Sequence, residues 1–222
     1  MGAFTVDYRQ KMLHNNLLID LKNRGILVMD DFNITKLLST EVDIQKWIAN
    51  GLPTDDFSLQ NGILTMALSR FCLCIDPQQQ ALSWIQNLFK NYNLTTKNLQ
   101  DSDFLKHLGL AIEFVNPLLV EDVGEYLDPV LNPILGKRII MEDGYKTVLV
   151  GDKSVVWDDN FRLFFCTKLS NPKFSPEVMG KVNIINYCIT TEGLTGQLLN
   201  TVISHERPVS YHFINNLLLS II

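Results

Sequence analysis

The fold is indicated by residues 69–84, which read S-R-F-C-L-C-I-D-P-Q-Q-Q-A-L-S-W. Residues 71–75 are apolar and bulky, which is typical of a short buried strand. Asp76 and Pro77 end that run, and the apolar residues within 81–88 then recur at the spacing of a helix with one apolar face. The stretch therefore predicts a buried strand, a tight turn and a helix in succession.

A strand, a tight turn and a helix are also the layout of a P-loop, in which backbone N–H groups and a helix N-terminus hold phosphate. The motif G-x-x-x-x-G-K-[ST] needs glycines so that the backbone can wrap the phosphate, and a lysine that reaches it. The corresponding positions here are Asp76, Pro77, Gln78, Gln79, Gln80, Ala81, Leu82 and Ser83. Leu82 replaces the lysine, and Asp76 places a negative charge where a phosphate would sit. We therefore expect a vestigial nucleotide pocket.

Two further predicted strand ends carry polar groups that could belong to the same pocket. Glu121 and Asp122 follow an apolar run, where ATPases of this layout hold magnesium and position the attacking water, but in reversed order. Thr167 ends another strand, where such enzymes place a polar residue near the terminal phosphate. The carboxyl ends of parallel strands meet at one crevice, so these residues are expected to converge. The alternative is that all three merely finish their strands, and the missing lysine and glycines favour that alternative for catalysis.

The rest of the chain alternates long apolar strands with helices, which predicts an α/β fold. We expect a mostly parallel five-stranded sheet covered by helices on both faces. A helical block precedes the first strand, and a small antiparallel β insert is predicted over residues 138–157, with turns at Asp143-Gly144 and Gly151-Asp152. Ser58 is predicted to cap one helix of the N-terminal block, and Asp101 or Ser102 the helix that begins near residue 104.

Composition and charge exclude several classes of function for this chain of 222 residues. A formal net charge of −5, with scattered basic residues, argues against nucleic-acid binding. No apolar run approaches the roughly 20 residues that span a bilayer, so no membrane partner is expected. The motifs G-x-S-x-G and H-E-x-x-H are absent. The four cysteines, Cys72, Cys74, Cys166 and Cys188, form no C-x-x-C pair, which favours buried free thiols in a reducing compartment over a metal site or disulfides.

Six runs of the chain, in this order, carry a resemblance to a known family. They are G-L-P-T-D-D-F-S-L-Q-N-G-I-L-T (51–65), I-D-P-Q-Q-Q-A (75–81), D-S-D-F-L (101–105), P-L-L-V-E-D-V-G-E-Y-L-D-P-V-L (117–131), F-R-L-F-F-C-T-K-L-S-N-P-K-F-S-P-E (161–177) and G-L-T-G-Q-L-L (193–199). Together they resemble the fifth AAA+ module of a dynein heavy chain, of the axonemal rather than the cytoplasmic type. The resemblance covers about residues 2–208, and the first residues resemble the segment just after the microtubule-binding stalk.

The resemblance implies the large α/β subdomain of an AAA+ module that is not itself a working ATPase. It implies an N-terminal helical segment at 1–57, the AAA+ subdomain at 58–208 and a divergent apolar tail at 209–222. No cofactor is expected here, because other modules of the family's ring bind Mg-ATP and Mg-ADP. The implied partners are the neighbouring AAA+ modules, dynein intermediate and light chains within the complex, and microtubules only indirectly through the stalk.

The resemblance also implies a role and a location. The role is the transmission of conformational change around the motor ring to the stalk in microtubule-based ciliary motility. The location is the cytoplasm and cytoskeleton, within the axoneme of the cilium.

Two alternatives to a non-catalytic ring module remain open at this point. One is a residual nucleotide-binding or weakly hydrolysing domain that uses Ser83, Glu121 and Asp122. The other is a truncated isoform that acts as an interaction fragment. That alternative arises because the family continues after residue 208 into a charged, heptad-bearing buttress helix, whereas residues 209–222 contain no heptad and no charged residue apart from a protonated His212.

Overall fold

The structure, a computed structural model, describes residues 2–28, 34–142, 144–189 and 191–206. These residues fall into two compact units. A helical unit is built from the chain before Leu68 and after Cys188, and a sheet unit spans Leu68–Cys188. The boundary between Ala67 and Leu68 lies inside the range 58–208 that the resemblance assigned to one subdomain. Asp143 of the predicted insert turn and the predicted tail at 209–222 lie outside the described residues.

The helical unit begins with an unbroken helical stretch. It consists of α1 (Val6–Gln10), a π-helical segment (Lys11–Leu17) and α2 (Leu18–Asn23). Three further helices follow, α3 (Ile34–Leu38), α4 (Glu41–Ala49) and α5 (Asp56–Ala67). The helical N-terminal block predicted from the sequence is therefore confirmed over the residues that the structure describes.

The sheet unit contains the elements that position the candidate site. In chain order they are β1 (Cys72–Ile75), α6 (Gln80–Leu88), β2 (Thr95–Asn98), α7 (Phe104–Glu113), β3 (Leu118–Glu121), α8 (Asn132–Leu135), β4 (Ile140–Glu142), β5 (Tyr145–Val150), β6 (Lys153–Val156), β7 (Leu163–Thr167), α9 (Pro176–Lys181) and β8 (Asn183–Asn186). The helix α10 (Thr191–Glu206) then belongs to the helical unit.

The main sheet has the order β2-β3-β7-β1-β8, and each neighbouring pair is parallel. The strand β1 therefore lies between β7 and β8, with Cys74 opposite Cys166 and Ile75 opposite Thr167. Because all five strands run in the same direction, their carboxyl ends meet at one edge of the sheet. The predicted α/β class and the five-stranded parallel sheet between helices are confirmed.

The two faces of the sheet are packed differently. On one face, Leu73 and Phe165 join a core that also contains Leu108 and Ile112 of α7. Alternation along the strands places Phe164 on the opposite face, where its ring centroid lies 5.3 Å from that of Phe89, just after α6. Both faces are covered, which explains why the strands read as continuous apolar runs rather than as alternating patterns.

The small insert forms a separate antiparallel sheet with the order β4-β5-β6, as predicted. Its two turns contain Gly144 with φ +84° and Gly151 with φ +61°. Glycine adopts this left-handed region without the steric cost that a side chain brings. The insert is attached to the sheet unit through Val148 and Val150, which are buried in the core beside α7.

Two predicted helix caps are wrong. Ser58 does not cap α5: its backbone N–H donates to Asp55 Oδ1 at 3.0 Å and its hydroxyl donates to Asp55 Oδ2 at 2.7 Å, so Asp55 is the capping residue. The helix α7 begins after Asp103 without a side-chain cap. Asp101 does not cap it, because its carboxylate instead accepts the N–H of Asn98 at 2.9 Å. Ser102 does not cap it either.

Burial of the thiols is confirmed for three of the four cysteines. Cys72, Cys74 and Cys166 are buried, whereas Cys188 is only half-buried, because β8 ends at Asn186 and Cys188 follows it in the connection to α10. All four are free thiols.

Among the described residues, no helix is long and apolar enough to span a bilayer, and no group of three or more His, Cys, Asp or Glu side chains is arranged to hold a metal ion.

Candidate functional site

The loop between β1 and α6 lies at the carboxyl edge of the sheet. The backbone N–H of Asp76 donates to the carbonyl of Thr167 at 2.9 Å, which continues the pairing of β1 with β7 by one residue. The chain then turns, and the N–H of Gln79 donates to the carbonyl of Asp76 at 3.1 Å. Gln79 adopts the left-handed conformation, with φ 59° and ψ 30°, and α6 begins at Gln80.

The carboxylate of Asp76 is held by the first turn of α6. Its Oδ1 accepts the N–H of Gln80 at 2.8 Å, and its Oδ2 accepts the N–H of Leu82 at 2.9 Å. Only 1% of Asp76 is exposed. The first N–H groups of a helix have no carbonyl partner within the helix, and P-loops use such groups to hold phosphate. In this chain a side chain of the protein itself occupies these donors.

The environment of Asp76 acts on its ionisation in two opposite directions. Burial raises the pKa of the Asp76 carboxyl, because removing the group from water disfavours its charged form. The backbone N–H groups of Leu82, Gln80, Ala81 and Gln79 lower it, because they stabilise the carboxylate. Burial is the larger effect, so the pKa of Asp76 lies above its usual value.

The residues at the end of the P-loop-like stretch provide no phosphate contact of the usual kind. Leu82, at the position of the P-loop lysine, is an apolar side chain that is only 8% exposed. Ser83, the only motif residue that is retained, is exposed, and its hydroxyl donates to the carbonyl of Gln79 at 2.8 Å. Neither side chain places a cation or a free hydroxyl donor toward the end of the sheet.

Asp122, at the acidic end of β3, forms an ion pair with a residue that was not predicted as part of the site. Lys168, which directly follows β7, lies with its Nζ 2.6 Å from Asp122 Oδ1. The hydrogen bond with Asp122 raises the pKa of Lys168 above its usual value. Asp122 itself has φ 54°, and the next N–H, that of Val123, donates to the carbonyl of Cys166 at 3.1 Å. The ends of β3 and β7 are therefore joined by both backbone and side chains.

Thr167 has a local role at the end of β7. It is 1% exposed, and its Oγ1 accepts the N–H of Leu169 at 3.2 Å. Its side chain therefore stabilises the turn that follows the strand.

The position of Lys168 could have been found in the sequence. In the run T-K-L-S-N-P, this lysine directly follows the predicted strand-end threonine.

These groups enclose what we call the strand-end crevice. It is lined by Asp76, Gln79, Leu82, Glu121, Asp122, Cys166, Thr167 and Lys168, and its cavity volume is ≈ 10 Å³. A cavity of that size holds about one water molecule. Six of the predicted site residues are therefore brought together here. The other five do not line the crevice, namely Pro77, Gln78, Gln80, Ala81 and Ser83.

Cys166, which lines the crevice, is hydrogen-bonded to the buried thiol of Cys74 in the neighbouring strand β1. Hydrogen bonding to Cys166 and Cys72 is the largest cause that raises the pKa of Cys74, and burial adds to it. The bond with Cys74 lowers the pKa of Cys166, but burial and the nearby Asp76 raise it above its usual value. Reactivity of a thiol requires its thiolate, so these two cysteines act as packing groups.

The family model described as the ATP-binding dynein motor region matches residues 45–220, which is more than half of the chain. The chain belongs to the dynein heavy chain family. Its parallel sheet between helices is the large subdomain of an AAA+ module of that motor region. The matched range continues into residues 209–220, which sequence analysis set apart as a divergent tail.

Individual relatives are axonemal or flagellar heavy chains. The chain is 45% identical over 206 residues to human dynein axonemal heavy chain 10, a match that covers 93% of this chain and 5% of that protein. It is 47% identical over 207 residues to the dynein-1-alpha heavy chain of the flagellar inner arm I1 complex of Chlamydomonas reinhardtii, covering 93% and 4%. Dynein axonemal heavy chain 2 of the mouse is 39% identical over 208 residues, covering 94% and 5%. The chain thus spans about 5% of the length of these relatives.

Proposed function

We propose that this chain is a non-catalytic AAA+ module, the fifth of the motor ring, of an axonemal dynein heavy chain. It transmits conformational change around the ring to the microtubule-binding stalk, and so acts in ciliary motility. Its direct partners are the neighbouring AAA+ modules, and microtubules, intermediate chains and light chains are partners of the whole complex. The family membership and the axonemal and flagellar relatives support the setting of this proposal.

The absence of catalysis is inferred from one observation: the N–H groups of Gln80 and Leu82 donate hydrogen bonds to the buried carboxylate of Asp76. A phosphate bound in the manner of a P-loop would need these same donors. It would have to displace Asp76 into a crevice of ≈ 10 Å³, where the two negative charges would repel each other. No lysine of the motif would offset that repulsion, since Leu82 stands in its place.

The acidic strand end is equally unsuited to catalysis. In a working P-loop ATPase, a carboxylate of this strand holds magnesium and another positions the attacking water. Here Lys168 holds Asp122 at 2.6 Å, so a cation of the protein is already paired with that carboxylate. A magnesium ion would compete with a tethered ammonium group for the same oxygen.

The contacts at the crevice favour mechanical coupling instead. Asp76 N–H to Thr167 O joins β1 to β7, and Val123 N–H to Cys166 O joins β3 to β7. The side chain of Asp76 joins β1 to α6 in the same region. A crevice that is connected in this way by the protein's own groups needs no ligand to hold its edges together. It therefore transmits a displacement of one strand end to its neighbours as a rigid element.

The test is calorimetric titration of the purified chain with Mg-ATP and Mg-ADP. We expect no binding at millimolar nucleotide, because one strong phosphate contact is absent and the donors of the loop are occupied. Leu82→Lys restores the absent cation alone, and we expect it to remain a poor binder because Asp76 is retained. Binding by the wild-type chain, or ATP turnover that Glu121→Gln abolishes, would overturn the proposal.

A further inference from the structure

The first helical stretch of the chain contains a π-helical segment of seven residues, Lys11–Leu17, between α1 and α2. π-Helices are rare, are mostly limited to a single turn, and are frequent at functional sites. We propose that this segment is a two-register device, which converts to an α-helix while α1 stays in place. The conversion turns α2 by one residue, or about 100°, around the helix axis. This inference goes beyond the proposed function and does not depend on it.

The first support is the spacing of the buried side chains. In an α-helix, residues four apart lie on the same face, whereas residues five apart are separated by about 140° around the axis. Here the buried leucines are Leu13 and Leu18, five residues apart, with exposures of 9% and 8%. A π-helix brings such residues onto one face, because its hydrogen bonds join residues five apart. Leu17, four residues after Leu13, is 44% exposed.

The second support is that the same residues form a complete α-helical alternative. Leu13, Leu17 and Leu21 are spaced four apart, so they would form one apolar row in an unbroken α-helix. We call this alternative the α register and the observed arrangement the π register. In the α register, Leu17 takes the buried place that Leu18 occupies in the π register. Because both residues are leucines, the exchange buries the same kind and volume of side chain at that place.

The third support is the difference between the anchors of α1 and α2. In α1, the buried Arg9 donates hydrogen bonds to the carbonyls of Gly2 and Phe4 and to Asn61 Oδ1 of α5, at 2.7 to 3.0 Å. Among the residues of α2, all of which the structure describes, Leu18 is the only buried one. The position of α1 is therefore fixed by directional bonds, whereas the buried anchor of α2 is an apolar side chain that a neighbouring leucine can replace.

The charged residues of α2 explain why the π register predominates. Asp20 and Arg24 form an exposed ion pair, in which Arg24 Nε lies 2.9 Å from Asp20 Oδ2. In the α register, Asp20 would follow the buried Leu17 by three residues and would turn toward the apolar side, where a charge is unfavourable. We therefore expect the α register as a minor state with a population of about 1%.

The experiment is methyl relaxation-dispersion NMR of the full chain, labelled at its leucine methyl groups, which detects exchange on the microsecond-to-millisecond timescale. The first variant is a deletion of Asn15, an exposed residue of the π-helical segment. The shortened segment can become α-helical while Leu18 keeps its buried place, so one register remains. Asn15→Ala is the matched control, because it changes the same side chain and retains the chain length.

We expect exchange at Leu17 and Leu18 in the wild type and in Asn15→Ala, and no exchange in the deletion variant. Leu17→Ala alters an exposed side chain and removes the leucine that the α register buries. The population of the minor state should therefore fall more than about tenfold, and exchange at Leu18 should disappear. If the deletion variant does not fold, Leu17→Ala decides by the same comparison with the wild type.

Leu18→Ala tests the exchange from the opposite direction. It removes the buried leucine of the π register, so the population of the α register should rise until the two are comparable. The methyl groups of Leu17 should then become protected from a water-soluble paramagnetic agent. Three results would each overturn the inference: no exchange in the wild type, exchange that persists in the deletion variant or in Leu17→Ala, and a Leu17 that stays accessible in Leu18→Ala.

Discussion

Among the residues that the structure describes, two charged side chains are almost completely buried, and their hydrogen-bond partners lie at very different distances along the chain. Asp76 in the sheet unit is 1% exposed and is held by N–H groups at most six residues ahead of it. Arg9 in the helical unit is also 1% exposed, but its Nη2 donates to Asn61 Oδ1 at 2.7 Å, fifty-two residues away. The first site is local in sequence, and the second depends on α1 and α5 meeting.

The Arg9 site consists of Arg9, Gly2, Phe4, Phe57 and Asn61. The guanidinium donates to the carbonyl of Gly2 at 2.7 Å and to the carbonyl of Phe4 at 3.0 Å, and its centre lies 4.3 Å from the ring centroid of Phe57. It therefore joins the first residues of the chain to α5. A buried charge can therefore organise either a loop or the packing of helices that are distant in sequence, and the two cases should respond differently to mutation.

The largest effect is expected for Arg9→Met. Without the guanidinium, Asn61 Oδ1 and the carbonyls of Gly2 and Phe4 lose the hydrogen bonds that they accept from Arg9. Because these oxygens are buried, the loss should destabilise the helical unit by about 3 kcal/mol. Hydrogen exchange of the α5 amides measures this loss. Arg24→Met is the control, because Arg24 is exposed and pairs with Asp20 at the surface, so its loss should remain within about 0.5 kcal/mol. Equal effects of the two substitutions would contradict the importance of the Arg9 site.

The second effect is expected for Asp76→Ala. The N–H groups of Gln80 and Leu82 lose the carboxylate to which they donate, and we expect a loss of about 2 kcal/mol in the free energy of unfolding. Urea denaturation followed by circular dichroism measures it, with Asp128→Ala as the exposed counterpart, because Asp128 accepts the N–H of Val130 at the surface. A loss no larger than that of Asp128→Ala would show that burial adds nothing to this cap.

A smaller effect is the pH dependence that Asp76 contributes. Its folded pKa is raised above the ordinary value of 3.8, so the folded state binds its proton more tightly than the unfolded state does. The stability from this group is therefore fully present below pH 3.8 and is lost as the pH rises through the raised pKa. Asp76→Asn removes this dependence. Subtracting its stability–pH curve from that of the wild type should leave a difference that declines with pH in the acid range, and a difference that rises would contradict the assignment.

The smallest effect is expected for Lys168→Met. The pair with Asp122 is half exposed, with side-chain exposures of 50% and 40%, so its loss should change the free energy of unfolding by no more than about 0.5 kcal/mol. Urea denaturation of the variant beside the wild type measures this change. A loss as large as that of Asp76→Ala would contradict the minor role of the exposed pair.

Much of the architecture could be predicted because its signals are local. The apolar runs of β1, β3 and β7 identify buried strands, and glycines mark the turns of the insert. The convergence of Asp76, Glu121 and Thr167 also followed from a general rule, since parallel strands end at one edge. The wrong predictions of the helix caps have a different cause. The partner of a capping side chain depends on competing donors, so Asp55 caps α5 where Ser58 was predicted, and Asp101 binds Asn98 instead of α7.

By itself, the sequence determined the α/β class, the position of the P-loop-like turn and the loss of its lysine and glycines. These properties depend on residue type and on spacings of a few residues, which act within one strand, turn or helix. Only the tertiary structure decided that Lys168 pairs with Asp122, that the crevice has room for about one water molecule, and that Arg9 lies against Asn61. Those contacts join residues from separate elements, and a distance between them exists only after the elements have packed.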